Sequence, residues 1–370
     1  MRAVWRSFAA TLRAVVSDRY AVVAMIGAVL LYSFFYPQAY RLQVASNLPI
    51  AVVDLDGSGA SRDLIRRLDA VRALAVVARP ADVEQARRLL EQGAVDGFVL
   101  IPDGYQRAQR RGGRGQVQLY GNGAWLSRAG TVLAGMGEAV AGQARQAALE
   151  RAGWAGVPTT LPVQLVARPL YNTREGYGSS VVAGVSEVIV HQTLLLGIGV
   201  LLGTRREQLG RRLRQSGADF TGMLLAFGLI GVAGMLYYVG FTAWAQDYPR
   251  GGDRLAVLAA VLAFIAATVP FGMCVGSLLT TRERALQYVT AVSIPMFFLA
   301  NLSWPAFASP PALVALAQLL PTTAGINAIV RAQQMGASVS EIGGELLTLL
   351  ALALGYGTLV WRRLVAGHRV

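Results

Sequence analysis

Residues 181–214 read VVAGVSEVIVHQTLLLGIGVLLGTRREQLGRRLR. Positions 181–203 are apolar except for a short polar patch around Glu187, His191 and Gln192. A run of about 20 mostly apolar residues is long enough to cross a bilayer. Arginine crowds the next segment, with Arg205, Arg206, Arg211, Arg212 and Arg214. Basic residues gathered at one end of a short span hold that end on the cytoplasmic side. The same pairing of apolar run and arginine cluster recurs on both sides of this stretch. Runs at 20–36, 220–245, 255–279, 288–302 and 342–360 bring the expected spans to six. The run at 288–302 is shortened by Pro295 and by Ser303-Trp304-Pro305, so it reads as tilted, kinked or continued by a re-entrant piece, which needs shielding from lipid.

Composition agrees. Of 370 residues, 54% are hydrophobic and 15% charged, and the mean hydropathy is +0.45. Soluble domains carry about 25% charged residues. The other arginine clusters lie at Arg2, Arg6, Arg13 and Arg19, at Arg282 and Arg284, and at Arg362, Arg363 and Arg369. Arg250 and Arg254 sit beside Asp247 and Asp253, so that loop is not strongly basic. With six spans the four basic ends fall on one face, which makes both termini cytoplasmic and residues 37–180 extracytoplasmic. The net charge of +13 is thereby explained by topology, and no nucleic-acid partner is expected.

The composition also excludes chemistry. All 34 basic residues are arginine and lysine is absent. A P-loop, which requires a lysine at the phosphates, is ruled out, as is a Schiff-base lysine. Cys274 is the sole cysteine, so no intrachain disulfide can form. His191 and His368 are far apart, and no metal site is expected.

Residues 37–180 alternate short apolar runs with amphipathic ones. Strands are expected at 50–53, 73–78, 98–101 and 117–120, helices at 61–68 and 82–90, a long helix at 125–151 and a returning strand at 164–167. Strand and helix in alternation read as βαβ units and an α/β domain. The fold class is therefore an α-helical polytopic membrane protein with an inserted extracytoplasmic α/β domain.

Val53-Asp54-Leu55-Asp56-Gly57-Ser58-Gly59 is the most enzyme-like string. It is similar to the nucleophile motif of haloacid dehalogenase-type phosphatases, yet that chemistry also wants a lysine. It opens like an EF-hand loop, yet its twelfth position is Ile65 rather than a bidentate glutamate. As a strand-to-helix turn it needs nothing further: Asp and Gly make the bend and Ser58 or Ser61 caps the next helix. Glu187 and His191, four apart, share one helix face. Such groups face protein or water; they either line a substrate path with Gln192 or make interhelical hydrogen bonds. Gly199-x-x-x-Gly203 and Gly272-x-x-x-Gly276 permit close packing, expected within one subunit. Residues 5–19 are amphipathic and basic, suited to the cytoplasmic membrane face.

The order of parts resembles ABC exporter permeases of the second type, in the branch with a large external domain between the first two spans. Ile50-Ala-Val-Val-Asp-Leu-Asp-Gly-Ser, Ala86-Arg-Arg-Leu-Leu-Glu-Gln-Gly, Gly97-Phe-Val-Leu-Ile-Pro, Arg168-Pro-Leu-Tyr-Asn, Gln192-Thr-Leu-Leu-Leu and Leu320-Pro-Thr-Thr carry the likeness. It implies a permease in the bacterial cytoplasmic (inner) membrane that works as a homo- or heterodimer. A separate ABC ATPase subunit would bind ATP and magnesium, so the chain itself would hold no cofactor. A periplasmic adaptor could dock on the external domain. Residues 1–19, with Trp5, Arg6 and Arg13, would be the connecting helix. The coupling loop 204–219 would use Arg205, Arg206, Glu207, Arg211, Arg212 and Arg214. Ser303, Trp304, Pro305, Pro321 and Thr322 would belong to an external re-entrant segment, 303–331. Two departures stand out: the family's usual Gly-Thr-Leu after the acidic residue is Gln208-Leu-Gly here, and no proline opens the second span. The rival reading is a membrane-anchored receptor or scaffold whose external domain binds a ligand.

The topology has a direct check. In a variant with Cys274 replaced by serine, single cysteines placed at 2, 206 and 284 are expected to resist a membrane-impermeant maleimide in intact cells. A cysteine at 84 is expected to react. Labelling at 206 but not at 2 would break the scheme.

Overall fold

The computed structural model describes residues 1–39, 45–111, 115–154, 171, 176–209, 215–300, 302 and 309–366. Two compact units emerge, Met1–Arg41 with Pro169–Val370, and Leu42–Arg168. The chain opens with α1 (Arg2–Ser17), an amphipathic helix that buries Thr11 and Val15. Asp18 ends it and caps the next piece, accepting from the backbone N–H groups of Tyr20 and Ala21. That piece is α2 (Arg19–Val22), a π-helical turn (Val23–Gly27) and α3 (Ala28–Ala39), which together form the first apolar crossing.

In the unit Leu42–Arg168, β1 (Leu48–Asp54) lies parallel between β2 (Leu74–Ala78) and β3 (Gly97–Ile101). The fourth strand, β4 (Gln118–Gly121), runs antiparallel to β3, giving the order β2-β1-β3-β4. The connecting helices are α4 (Gly59–Ala70), α5 (Val83–Glu91), α6 (Tyr105–Arg110) and α7 (Leu126–Trp154). Alternation along β1 divides the core in two. Ile50 and Val52 pack with Leu64, Leu68, Val132 and Met136 of α4 and α7, and Ala51 and Val53 pack with Ala86 of α5. Parallel strands buried on both faces read as continuous apolar runs, which is why the sequence located them. Tyr105 donates to Gln143 at 2.6 Å, and Gln143 donates to the carbonyl of Ala60, tying α4, α6 and α7 together. The expected strand at 164–167 lies outside the described residues.

The Asp54 string is a turn. One carboxylate oxygen of Asp54 accepts from the N–H groups of Asp56 and Gly57, and the other accepts from Ser61 Oγ at 2.7 Å. Ser58 caps α4 through Ser61 N–H. Gly57 takes φ +57°, a conformation costly for other residues. Both oxygens of Asp54 thus hold the loop's own shape.

The other unit continues with α8 (Tyr177–Leu209), α9 (Gly217–Leu236), a π-helical turn (Tyr237–Thr242), α10 (Ala243–Ala245) and α11 (Arg254–Leu278). After these come α12 (Arg282–Leu299), α13 (Pro311–Ala317), α14 (Pro321–Gln334) and α15 (Gly343–Leu364). Among the described residues, five helices are long and apolar enough to cross a membrane: Arg19–Gln38, Gly178–Gln208, Gly217–Ala245, Arg254–Leu278 and Gly343–Leu364. The crossing expected at 288–302 differs. Its helix, α12, begins with Arg282, Glu283 and Arg284, contains Pro295 and falls short of that standard. Instead α13 and α14, bent by 79° at their junction, pass the test as a pair, as a broken span or a re-entrant loop. Among the described residues the candidate crossings therefore number five or six.

Helices α8 and α11 are buried along most of their apolar length and the others gather round them. The two small-residue motifs meet here: a Cβ on Gly276 would lie 3.4 Å from the Gly199 Cα, and one on Gly199 would lie 2.9 Å from Ala285. Packing within one chain, as expected, is their use. Helix α1 lies on the first turns of α9, where Ser7 Oγ donates to the Asp219 carbonyl. A Cβ on Gly222 would stand 2.7 Å from Phe8 N. Gly222→Leu is expected to pry α1 away and to speed tryptic cleavage at Arg6 and Arg13 several-fold. Gly355→Leu, whose Cβ meets nothing, is expected to cleave at the wild-type rate; equal rates for both variants would refute the seam.

Candidate functional site

Two features of the membrane unit bring the chemistry-bearing residues together. The first is a buried polar cluster. Ten buried side-chain polar atoms lack a hydrogen-bond partner among the described residues, and six of them lie at Glu187, His191, Gln192, Thr268 and Thr322. Glu187 and His191 are fully buried on α8. Ser186 Oγ donates to one Glu187 carboxylate oxygen at 3.3 Å while the other oxygen has no partner. Neither ring nitrogen of His191 has a partner, so no hydrogen bond joins the two residues. The imidazole stacks on Phe271 at 5.5 Å and on Phe264 at 6.4 Å. Thr268, one turn beyond Phe264, shares that face of α11. On α14, Gly325 approaches the Phe264 ring so closely that any Cβ would collide with it, and Thr322 precedes it by one turn. Gln192 turns elsewhere, donating to Met296 Sδ on α12 at 3.4 Å.

Placing a charge near the centre of a bilayer costs about 2.5–3.5 kcal/mol on insertion scales. An unsatisfied buried polar group costs about 1–3 kcal/mol. The cluster is therefore a costly arrangement at the junction of α8, α11 and α14, and it makes those helices poorly satisfied in this packing. Of the expected pathway residues, Glu187 and His191 share the buried face of α8, Thr322 is buried on α14, one turn before the Gly325 that meets Phe264, and Gln192 belongs to the α8–α12 seam. The sequence reading missed Thr268, although a threonine two residues before Pro270 in an apolar run was a signal for it.

The second feature is a clamp at the end of α8. Arg206 donates to the carbonyls of Ser277 and Leu279, both at 2.9 Å, and so satisfies the C-terminus of α11. Glu207 accepts from the Arg282 N–H at 3.1 Å and satisfies the N-terminus of α12. Gly203 lets the backbone at 281–282 approach: a Cβ there would sit 2.7 Å from Arg282 N. The Arg282 guanidinium lies 5.4 Å from the Tyr20 ring centre, and Arg19 lies 4.8 Å from it. Arg282 also pairs with Glu283 at 3.2 Å, and that carboxylate, hydrogen-bonded by its own N–H and by Arg282, is held below the usual range. Arg205 turns the other way, donating to Met223 Sδ of α9 at 3.1 Å. Three neighbouring side chains thus tie α8 to α9, α11 and α12.

The remaining expected residues are dispersed. Trp5 is exposed and packs edge-on against Phe8 at 5.3 Å, while Arg6 and Arg13 are exposed on α1. Pro321 opens α14. Arg211, Arg212, Arg214, Ser303, Trp304 and Pro305 lie outside the described residues. An unforeseen ion pair, Arg331 with Glu345, joins α14 to α15, and Arg331 also donates to the Glu341 carbonyl at 2.9 Å.

Comparison with known proteins gives two findings. The family described as ABC-2 family transporter protein matches residues 20–362. The linearmycin resistance permease protein LnrN of Bacillus subtilis (strain 168) is 23% identical over 372 residues, covering 90% of this chain and 96% of the relative.

The cluster makes a stability prediction. His191→Leu and Thr268→Val each remove unsatisfied buried atoms, so the thermal midpoint of the purified protein is expected to hold or rise, by an amount matching about 1–3 kcal/mol. A fall in both variants would make these side chains props of the fold.

Proposed function

The chain belongs to the ABC-2 family of transporter proteins, and on that premise we propose an ATP-driven export permease whose α8 terminus passes motion from an ATPase into the bundle. It is a multi-pass membrane protein and the permease subunit of an ABC transporter, with an ABC ATPase as partner. In the proposed arrangement both termini and the α8–α9 loop are cytoplasmic, the membrane is the bacterial inner membrane, and the unit Leu42–Arg168 lies outside. A second permease chain completes the pathway, and an adaptor protein can dock on the outer unit. The partner hydrolyses the nucleotide: lysine is absent from the chain, so no Walker lysine can stand at a phosphate. The receptor reading is not favoured, since the family match spans the bundle as well as the intervening unit. The relative's name associates it with linearmycin resistance, which supports drug efflux as the class of transport proposed here.

The clamp supports the coupling role. A push on the α8–α9 loop reaches Arg205, Arg206 and Glu207 first. Through Met223, the Ser277 and Leu279 carbonyls and the Arg282 N–H it is delivered to α9, α11 and α12 together. Because α8 and α11 touch at Gly199 and Gly276, they move as one body. That motion would open the α8–α14 and α11–α14 contacts, where the unsatisfied Glu187, His191, Thr268 and Thr322 atoms can gain partners. Nucleotide binding shifts the equilibrium only by its differential affinity for the two states; a state that relieves these orphans is the easier one to reach.

Arg206→Ala combined with Glu207→Ala is expected to lower ATP-driven efflux roughly a hundredfold, three hydrogen bonds being lost at about 1 kcal/mol each. The ATPase should still co-purify and hydrolyse ATP. Wild-type efflux would reject the clamp as transmitter, and loss of co-purification would make the two residues a direct ATPase contact.

A further inference from the structure

An open groove of about 950 Å³ runs along the membrane unit between α1, α9, α11 and α15. It is distinct from the polar cluster and from the clamp. Aromatic rings stand at one end: Trp5 and Phe8 from α1, Phe220 from α9 and Trp361 from α15. They pack edge-on in pairs, Trp5 with Phe8 and Phe220 with Trp361, each at 5.3 Å. Further in, the wall is hollowed by Gly228 and Gly357, and a Cβ added to either meets nothing within 4 Å. The lining is almost wholly apolar.

The same end is positively charged. Arg362 stands one turn beyond Thr358 on α15, and Arg2 stands one turn before Trp5 on the same face of α1. The nearby acid, Asp219, is engaged in a capping box with Ser216 at the start of α9. Tryptophan at a rim with arginine beyond it is the pattern of a bilayer interface, and basic residues there attract anionic lipid. A second copy of this chain fits poorly, because a two-fold contact sets a patch against itself and would bring these arginines face to face.

The geometry points to a resident anionic glycerophospholipid, with an acyl chain along Gly228 and Gly357 and its phosphate between Arg2 and Arg362. Such a lipid would seal α1 to α9 and α15. The site is independent of the transport reading.

The test is native mass spectrometry of the full-length permease, purified in detergent and offered equal phosphatidylglycerol and phosphatidylcholine. Wild type is expected to retain one lipid with a preference for phosphatidylglycerol of about fivefold or more, given about 1 kcal/mol per arginine near the surface. Gly228→Leu with Gly357→Leu sets two side chains into the groove at points where an added Cβ meets nothing within 4 Å; it is expected to keep the wild-type thermal midpoint measured without added lipid and to lose the bound lipid. Arg2→Gln with Arg362→Gln is expected to keep a lipid and lose the preference. Retention by the filled variant equal to wild type would overturn the proposal, as would wild type holding both lipids equally. A dimer in wild type that the filled variant converts to monomer would also overturn it, giving the groove to a second copy.

Discussion

The close approach of α8 to α11 is the contact on which the membrane unit depends. Lipid supplies no hydrophobic force between helices, so their association rests on packing, and packing is tightest where side chains are absent. Gly199 faces Gly276, and Gly272 admits Ile198 and Leu195. With that seam closed, the two helices form a buried rod, and Phe264, Phe271 and Ile198 fill the space beside it. The remaining crossings keep one face for the rod and one for lipid.

Two consequences follow. At the α8 terminus the seam brings the Arg206 guanidinium within reach of the α11 carbonyls and the Glu207 carboxylate within reach of the α12 N-terminus. Both helix ends would otherwise leave backbone groups unsatisfied at a membrane boundary. Farther along, the same helices leave one Glu187 oxygen, both His191 nitrogens and the Thr268 hydroxyl buried without partners among the described residues. A bundle that satisfies its ends and strains its middle is suited to two packings of similar energy, and transport requires a protein that can adopt both.

Much of this was legible. Apolar length located the crossings at 20–36, 181–203, 220–245, 255–279 and 342–360, because in lipid a helix must satisfy its own backbone and so leaves an unbroken signal. The α/β unit was legible for another reason: Ile50 to Val53 are buried on both sheet faces, and short apolar runs between amphipathic helices have few other uses. The expected crossing at 288–302 is the end of a longer helix with a charged start. Its window began at Tyr288 and omitted the charged first turn of α12, which belongs to the same helix as Pro295 and Met296. Helix α6 was missed, since Tyr105–Arg110 is too short to show a period and is held by Tyr105 and Gln143.

By itself, the sequence determined where the chain can meet lipid, that a sheet of buried strands is inserted in it, and that no lysine-dependent chemistry is available. These depend on composition along one stretch at a time, which burial and backbone satisfaction read locally. Tertiary structure alone decided that Arg206 and Glu207 cap helices some 70 positions away (|i−j| of 71 to 75), that His191 stacks between Phe264 and Phe271 without a hydrogen bond, and that Gly228 and Gly357 border open space. Those facts concern which faces meet, and a helical period names a face without naming its neighbour.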